Sequence, residues 1–188
     1  GEEIWCQLFS EPGSGSDFAG LSSKGVQDGD EWVVNGQKVW TTLAHLSRWG
    51  LLVVRTNPEA VKHAGLTAFV VDMHAPTVQT LPLRQMTGEA EFNEVFFTDT
   101  RIHESEMLGR PGDGWRVSLT TLMNERQSIG GSIPQRGSGT IANLMKEWAD
   151  APEWKKDEAT RDEVMKLWIR AEVLRLTNIR ANNNRKMG

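Results

Sequence analysis

The chain has 188 residues, 38% hydrophobic and 24% charged, with a net charge of −4 and an isoelectric point near 5.6. That is enough apolar material for the core of one domain or one and a half, and too much for a disordered chain. The mild acidity gives no global attraction to nucleic acid or to an anionic membrane, no run approaches the ~20 apolar residues of a spanning helix, and a single cysteine, Cys6, excludes an internal disulfide and fits a reducing, cytoplasmic setting.

The first residues, Gly1-Glu2-Glu3, carry neither an initiator Met nor a signal peptide, so the chain reads as a segment of a longer protein. From residue 4 to about 103 the hydrophobicity alternates with period two, interrupted by Gly, Asn, Asp and Pro, which predicts short antiparallel strands. Residues 4–9 form the first, with Cys6 as a buried structural thiol. Residues 11–17, Glu-Pro-Gly-Ser-Gly-Ser-Asp, are a loop by composition. A second strand follows at 21–27. Asn35-Gly36, between the apolar runs 31–34 and 37–42, predicts a tight hairpin with a type I′ turn. Residues 51–55 and 66–72 are continuous apolar strands expected to be covered on both faces. Strands at 78–83 and 94–98 complete seven or eight in about 100 residues, the density of a β-barrel or sandwich.

After Gly112-Asp113-Gly114 the period becomes helical, with Trp115, Leu119, Leu122, Met123 and Ile129 on one face. Gly130-Gly131 weaken that helix. A second helix is expected after Pro134, at 136–148, and a third from about 153 to 185. The third has acidic residues early (Glu153, Asp157, Glu158, Asp162, Glu163) and basic ones late (Arg175, Arg180, Arg185, Lys186), which suits the helix dipole. Its apolar face is Val164, Leu167, Trp168, Ala171 and Leu174. The predicted class is therefore α+β: an antiparallel β-barrel or sandwich domain at 1–110, then helices of a truncated bundle at 111–188. Two or three helices cannot bury broad apolar faces alone, which points to further chain elsewhere. The composition also has eight Trp and no Tyr, and several of the Trp are expected in the core.

Three segments carry residues fit for chemistry. In Gly13-Ser14-Gly15-Ser16 small residues allow close backbone approach to a phosphate, although a Gly/Ser loop alone is more often only a loop. It lacks the Gly-Lys-Ser/Thr of a P-loop, and neither Ser14 nor Ser16 lies in a hydrolase nucleophile elbow. No His/Cys pair has metal-ligand spacing. Trp40-Thr41-Thr42 offers a ring to stack on a planar cofactor and hydroxyls to bond it, or simply core strand residues. Glu125-Arg126 sits in an otherwise apolar helix, with Arg126 four residues after Leu122 on the core-facing stripe. It reads either as a surface pair or as a carboxylate base beside an organising guanidinium.

The order of these segments carries more than any one of them. Cys6-Gln7-Leu8-Phe9-Ser10-Glu11-Pro12-Gly13-Ser14-Gly15-Ser16-Asp17 resembles the signature of the acyl-CoA dehydrogenase family. Residues 30–42, Asp-Glu-Trp-Val-Val-Asn-Gly-Gln-Lys-Val-Trp-Thr-Thr, look like the family's next strand pair. Residues 65–71 and 108–115 follow in the family's order and spacing. The resemblance covers about residues 4–131, and 140–188 only loosely. Met123-Asn124-Glu125-Arg126 is similar to a subset common among bacterial members.

The resemblance implies a subunit of N-terminal helices, a middle β-barrel and a C-terminal helical bundle, binding FAD and oxidising an acyl-CoA thioester. It implies Gln7, Leu8, Phe9 and Ser10 along the flavin ring, mostly through backbone groups. Ser16 would meet the FAD pyrophosphate or the CoA portion of the substrate. Trp40, Thr41 and Thr42 would lie beside the isoalloxazine, Trp40 packed on it and the Thr42 hydroxyl near its N5. Met123 and Arg126 would border the substrate. Some members place the catalytic base late in the bundle. Others, of isovaleryl and long-chain type, place it directly before the Arg, where this chain has Glu125. An electron-transfer flavoprotein is the implied acceptor, and a homo- or hetero-oligomer the implied assembly. One departure stands out: the Arg-x-x-Phe-Gly that reaches a neighbouring subunit's FAD is absent from residues 133–188. That keeps open a non-catalytic partner subunit of a mixed oligomer, and an acyl-CoA oxidase, which passes the electrons to oxygen, is a third reading. The 188-residue piece alone is expected to be inactive, with weak or no FAD.

Overall fold

The structure, a computed structural model, describes residues 2–130 and 133–187. Gly131 and the side chains of Ile129, Arg185 and Lys186, which entered the helix expectations, lie outside the described residues. The chain divides into two compact units, one running to Thr121 and the other starting at Leu122.

The first unit is an eight-stranded sheet: β1 (Trp5–Leu8), β2 (Lys24–Asp28), β3 (Glu31–Thr42), β4 (Trp49–Arg55), β5 (Leu66–Asp72), β6 (Val78–Leu83), β7 (Phe92–His103) and β8 (Met107–Leu108). The spatial order is β6-β7-β3-β2-β4-β5-β8, with β1 beside β4. The path runs open from β6 to β8, so the sheet is barrel-like only loosely. Most pairs are antiparallel as expected, but β1 and β2 both meet β4 in parallel. The continuous apolar runs behave as their composition demands. Leu52, Val53, Val54, Leu66, Ala68 and Phe69 are wholly buried, since β4 and β5 are covered on both faces. Leu52, Val54 and Phe69 join Cys6, Leu8, Trp32, Val34, Val95 and Phe97 in one cluster.

The hairpin predicted at Asn35-Gly36 is not there. β3 runs unbroken from Glu31 to Thr42 and pairs with β7 on both sides of that dipeptide, with a register shift between Val34 and Gly36. The reversal comes earlier, at Gly29-Asp30, where Asp28 pairs with Glu31 and Gly29 has φ +68°. The Asn-Gly pair instead makes a bulge. Asn35 Nδ2 donates to Asp99 Oδ1 and Asn35 Oδ1 accepts from the Asp99 N–H, both at 2.9 Å. Glycine is required at 36 because a Cβ there would lie 2.7 Å from Ser23 Cα. The tryptophan expectation also fails in part. Trp32 is buried at 5% exposure, whereas Trp5, Trp40 and Trp154 are largely exposed.

Helix α1 (Gly114–Gly130) begins hard against the sheet. A Cβ on Gly114 would come within 2.7 Å of the Leu66 carbonyl carbon and the Thr67 nitrogen. The Gly112 N–H donates to Thr67 Oγ1 at 3.1 Å. The Gly-Asp-Gly-Trp segment is thus small for packing reasons.

In the second unit α2 (Thr140–Asp150) starts later than predicted, because Gly137 and Gly139 have φ of +72° and +79°. Helix α3 (Glu158–Met187) starts after Asp157, whose Oδ1 accepts from the Thr160 N–H at 2.6 Å, a capping bond. Val164 is the one buried hydrophobic among this unit's described residues. Leu167 and Leu174 of the expected apolar face stay exposed, as do Met165, Ile169, Val173 and Leu176 on another. The helices leave these apolar side chains uncovered. No helix among the described residues is long and apolar enough to cross a membrane.

Candidate functional site

The site in the first unit grows from the end of β1 and the second half of β3. Leu8 and Phe9 are buried, Leu8 in the core and Phe9 against Phe18 with ring centroids 5.1 Å apart. Their side chains therefore belong to the fold, and only their backbone is offered to a ligand. Gln7, on the alternate face of β1, is exposed, and Ser10 is half-buried. The Ser10 carbonyl accepts from the Val39 N–H at 2.9 Å, which ties the chain after β1 directly to β3 beside Trp40.

At that point β3 bulges. Lys38 pairs with Val95 and Thr41 with Asn93, so Val39 and Trp40 together stand opposite Glu94. Trp40 takes φ +59°, the left-handed region, and its side chain is turned out to 62% exposure, edge-on to Phe92. A bulky residue there is strained by about 1–3 kcal/mol, and such strain clusters at functional sites. Thr42 is exposed on the same side as Trp40, whereas Thr41 points inward. The Thr41 hydroxyl is buried without a hydrogen-bond partner, and its carbonyl accepts from Asn93 Nδ2 at 3.0 Å.

The Gly/Ser loop is held at its base and open at its tip. Glu11 and Ser14 exchange backbone hydrogen bonds of 2.8 and 3.0 Å around Pro12-Gly13. Ser14 is buried and donates to the Asp17 carbonyl at 2.6 Å, which removes it as a nucleophile. Ser16 is exposed, and a Cβ on Gly13 or Gly15 would meet nothing within 4 Å. Neither glycine has a positive φ. The fold itself therefore does not demand glycine at 13 or 15, which leaves approach by a ligand as a reason for it.

Sequence reasoning missed the centre of this arrangement. Lys38 is wholly buried and donates to the Phe9 carbonyl at 3.1 Å and to Glu11 Oε1 at 2.8 Å. Glu11, also buried, accepts in addition from the Ser22 N–H and hydroxyl (2.6 and 2.8 Å) and from the Ser23 N–H (3.0 Å). Burial alone would raise the Glu11 carboxyl, but the Lys38 charge and these bonds outweigh it and hold the group down at about 2. Burial pushes the Lys38 ammonium down to about 8 against the pull of Glu11. The available signal was a lysine at the same strand parity as the buried Trp32 and Val34. Cys6 is 4% exposed, and desolvation raises its thiol to about 11, so it is no nucleophile.

Met123, Glu125 and Arg126 lie on α1 beyond Thr121, in the second unit. Glu125 is half-buried, while Met123 and Arg126 are exposed. Of the two readings open for Arg126, its exposure is that of a side chain reaching solvent. Among the described residues no group of three or more His, Cys, Asp or Glu could hold a metal ion.

A family model described as acyl-CoA dehydrogenase, middle domain, matches residues 6–100. Among curated relatives, the acyl-CoA dehydrogenase IpdE1 of Mycobacterium tuberculosis is 43% identical over 176 residues, covering 92% of this chain and 45% of its own length. The acyl-CoA dehydrogenase FadE34 of the same organism is 50% identical over 129 residues, 69% of this chain and 18% of its own. Among solved structures, the ChsE4-ChsE5 complex from Mycobacterium tuberculosis superposes with a TM-score of 0.78 at 28% identity, over 98% of this chain and 48% of the matched one. The chain thus spans less than half the length of these relatives.

Proposed function

The chain belongs to the acyl-CoA dehydrogenase family, and from that premise we propose that the protein containing it is an FAD-dependent enzyme that introduces a double bond between Cα and Cβ of an acyl-CoA thioester. The observation that carries the reading is Trp40, an exposed ring held in a strained left-handed backbone beside the Ser10 carbonyl. The residues fit a flavin. The Trp40 ring offers a flat apolar wall, Thr42 a hydroxyl on the same side, and Gln7 to Ser10 a backbone edge. Ser16 and the open glycines at 13 and 15 fit a pyrophosphate or the phosphates of CoA. Bound there, the flavin supplies a two-electron acceptor for the hydride from Cβ.

The rest falls to the chain's own side chains. Glu125 removes the proton from Cα, and its half-buried position on α1 suits a base that substrate shields further. Arg126 and Met123 border the acyl group, the first by charge and the second by adaptable apolar contact. In this reading residues 1–110 are the flavin-binding β-domain and 111–188 the start of the helical bundle. In this reading an electron-transfer flavoprotein would be the electron-accepting partner. Full-length protein carrying Glu125→Gln should lose acyl-CoA oxidation by about 100-fold or more while keeping its flavin. Turnover near that of the parent would sink the assignment of Glu125.

A second reading is favoured by the likeness to a complex named for two different chains and by the missing Arg-x-x-Phe-Gly. In it, this protein is the non-catalytic partner of a mixed oligomer. A flavin absorbance spectrum of the purified full-length protein separates the two, because the partner reading requires none.

A further inference from the structure

The Glu11 carboxylate joins three segments far apart in sequence: its own loop after β1, Ser22-Ser23 before β2, and Lys38 on β3. Lys38 Nζ adds a bond to the Phe9 carbonyl, and one residue further on the Val39 N–H donates to the Ser10 carbonyl. Both groups of interest for a flavin are thereby set by one pair of charges. The Ser10 backbone hangs from the loop side, and the Trp40 ring stands two residues past Lys38 at the bulge. Stability alone is a poor reason for charges here. Apolar replacements of a buried ion pair are often neutral or stabilising, whereas removal of one partner strands the other. What an apolar pair cannot reproduce is direction: the ammonium spans two oxygens, and the carboxylate collects four donors at fixed angles.

We propose that Lys38 and Glu11 are positioning residues, whose ion pair sets the distance between the Ser10 backbone and the Trp40 ring and so the fit of the isoalloxazine between them. This rests on the flavin reading above. Neither residue touches the cofactor. The test uses full-length protein as Lys38→Met, Glu11→Gln and the double variant, with free FAD as the probe. Three quantities are measured: the thermal midpoint of the apoprotein, the FAD dissociation constant, and the quenching of bound flavin fluorescence. Each single variant should lower the midpoint. The double variant removes both charges; the amide oxygen in the place of Oε2 still accepts from the Ser22 N–H and hydroxyl, and the Ser23 bond to Oε1 is lost. Its midpoint should therefore return to within about 3 °C of the parent. Its FAD affinity should nevertheless stay weaker by about tenfold, and its bound flavin should be less quenched.

A merely structural pair would give the opposite pattern, with affinity and quenching recovering together with the midpoint. That result overturns the proposal, as does parental affinity in any folded single variant. A parent protein that binds no FAD overturns the proposal and the flavin reading together. Parental binding with unchanged variants overturns the proposal alone.

Discussion

Replacing Trp40 by Gly should separate the stability of the fold from its function. Trp40 is 62% exposed. Of the ~250 Å² a large aromatic can bury, it shelters about 90 Å², worth about 2 kcal/mol at ~25 cal/mol per Å². Against that loss, glycine relieves the left-handed backbone at φ +59°, a gain of about 1–2 kcal/mol. It also frees the unfolded chain, a cost of about 0.5–1 kcal/mol. The net cost is about 1 kcal/mol, or roughly 3 °C in thermal midpoint for a chain of this size. Trp32→Ala supplies the contrast. That ring is 5% exposed and packs on Phe69 at 5.6 Å, so its loss should cost about 3–5 kcal/mol. Circular dichroism melts of the two variants in the 188-residue chain measure the difference, and FAD titration of full-length Trp40→Gly should show binding lost. The reasoning is refuted if Trp40→Gly melts as early as Trp32→Ala. Trp40 would then be holding the sheet, and its strain would have no functional meaning.

The Glu11 carboxyl is lowered from 4.5 to about 2, so its contribution to stability is fully present above pH 4.5 and is lost as pH falls toward 2. That contribution is at most about 3 kcal/mol. Urea midpoints taken between pH 6 and 3 should fall steeply in the parent and more gently in Glu11→Gln, and parallel slopes would count against the assignment. Gly36→Ala should destabilise by about 1–3 kcal/mol, because the new methyl meets the Ser23 backbone at 2.7 Å. Gly29→Asn, at a turn with φ +68° and open space, should stay within about 0.5 kcal/mol of the parent. Equal losses at the two positions would refute the close-approach argument.

Much of the sheet is legible from the sequence because β4 and β5 are buried on both faces, and burial of that kind leaves a run of Val, Leu, Ile and Phe that nothing else explains. The ordered motifs from Cys6 to Asp17 and from Asp30 to Thr42 are equally plain, since they resemble a family's before any geometry is known. Asn35-Gly36 misled because the dipeptide supplies unusual backbone angles whether a chain turns or merely bulges. The decision lies with distant partners, here Asp99 on β7 and Ser23 before β2. Lys38 was illegible for a different reason. It shares the inward parity of the buried Trp32 and Val34, but a lysine is ordinarily exposed, so its residue type overrides what alternation says. Partner identity at a distance of 27 residues is likewise invisible to local patterning.

The five residues from Lys38 to Thr42 bring several locally costly features together. They hold a wholly buried ammonium, two residues bulged out of register, an exposed Trp in left-handed backbone, and a buried hydroxyl with no partner. Each feature is locally unfavourable, and none helps the neighbouring strands to pair. Similar features stand singly elsewhere in the unit, as left-handed backbone at Leu43 and Asp99 and as unpartnered buried atoms on Ser23 and Trp32, whereas here they adjoin one another and the Ser10 carbonyl. A flat ligand seated on Trp40 would account for the grouping. It needs the ring turned outward, the ring turned outward needs the bulge, and the bulge needs an anchor stiff enough to hold its register, which the Lys38–Glu11 pair supplies.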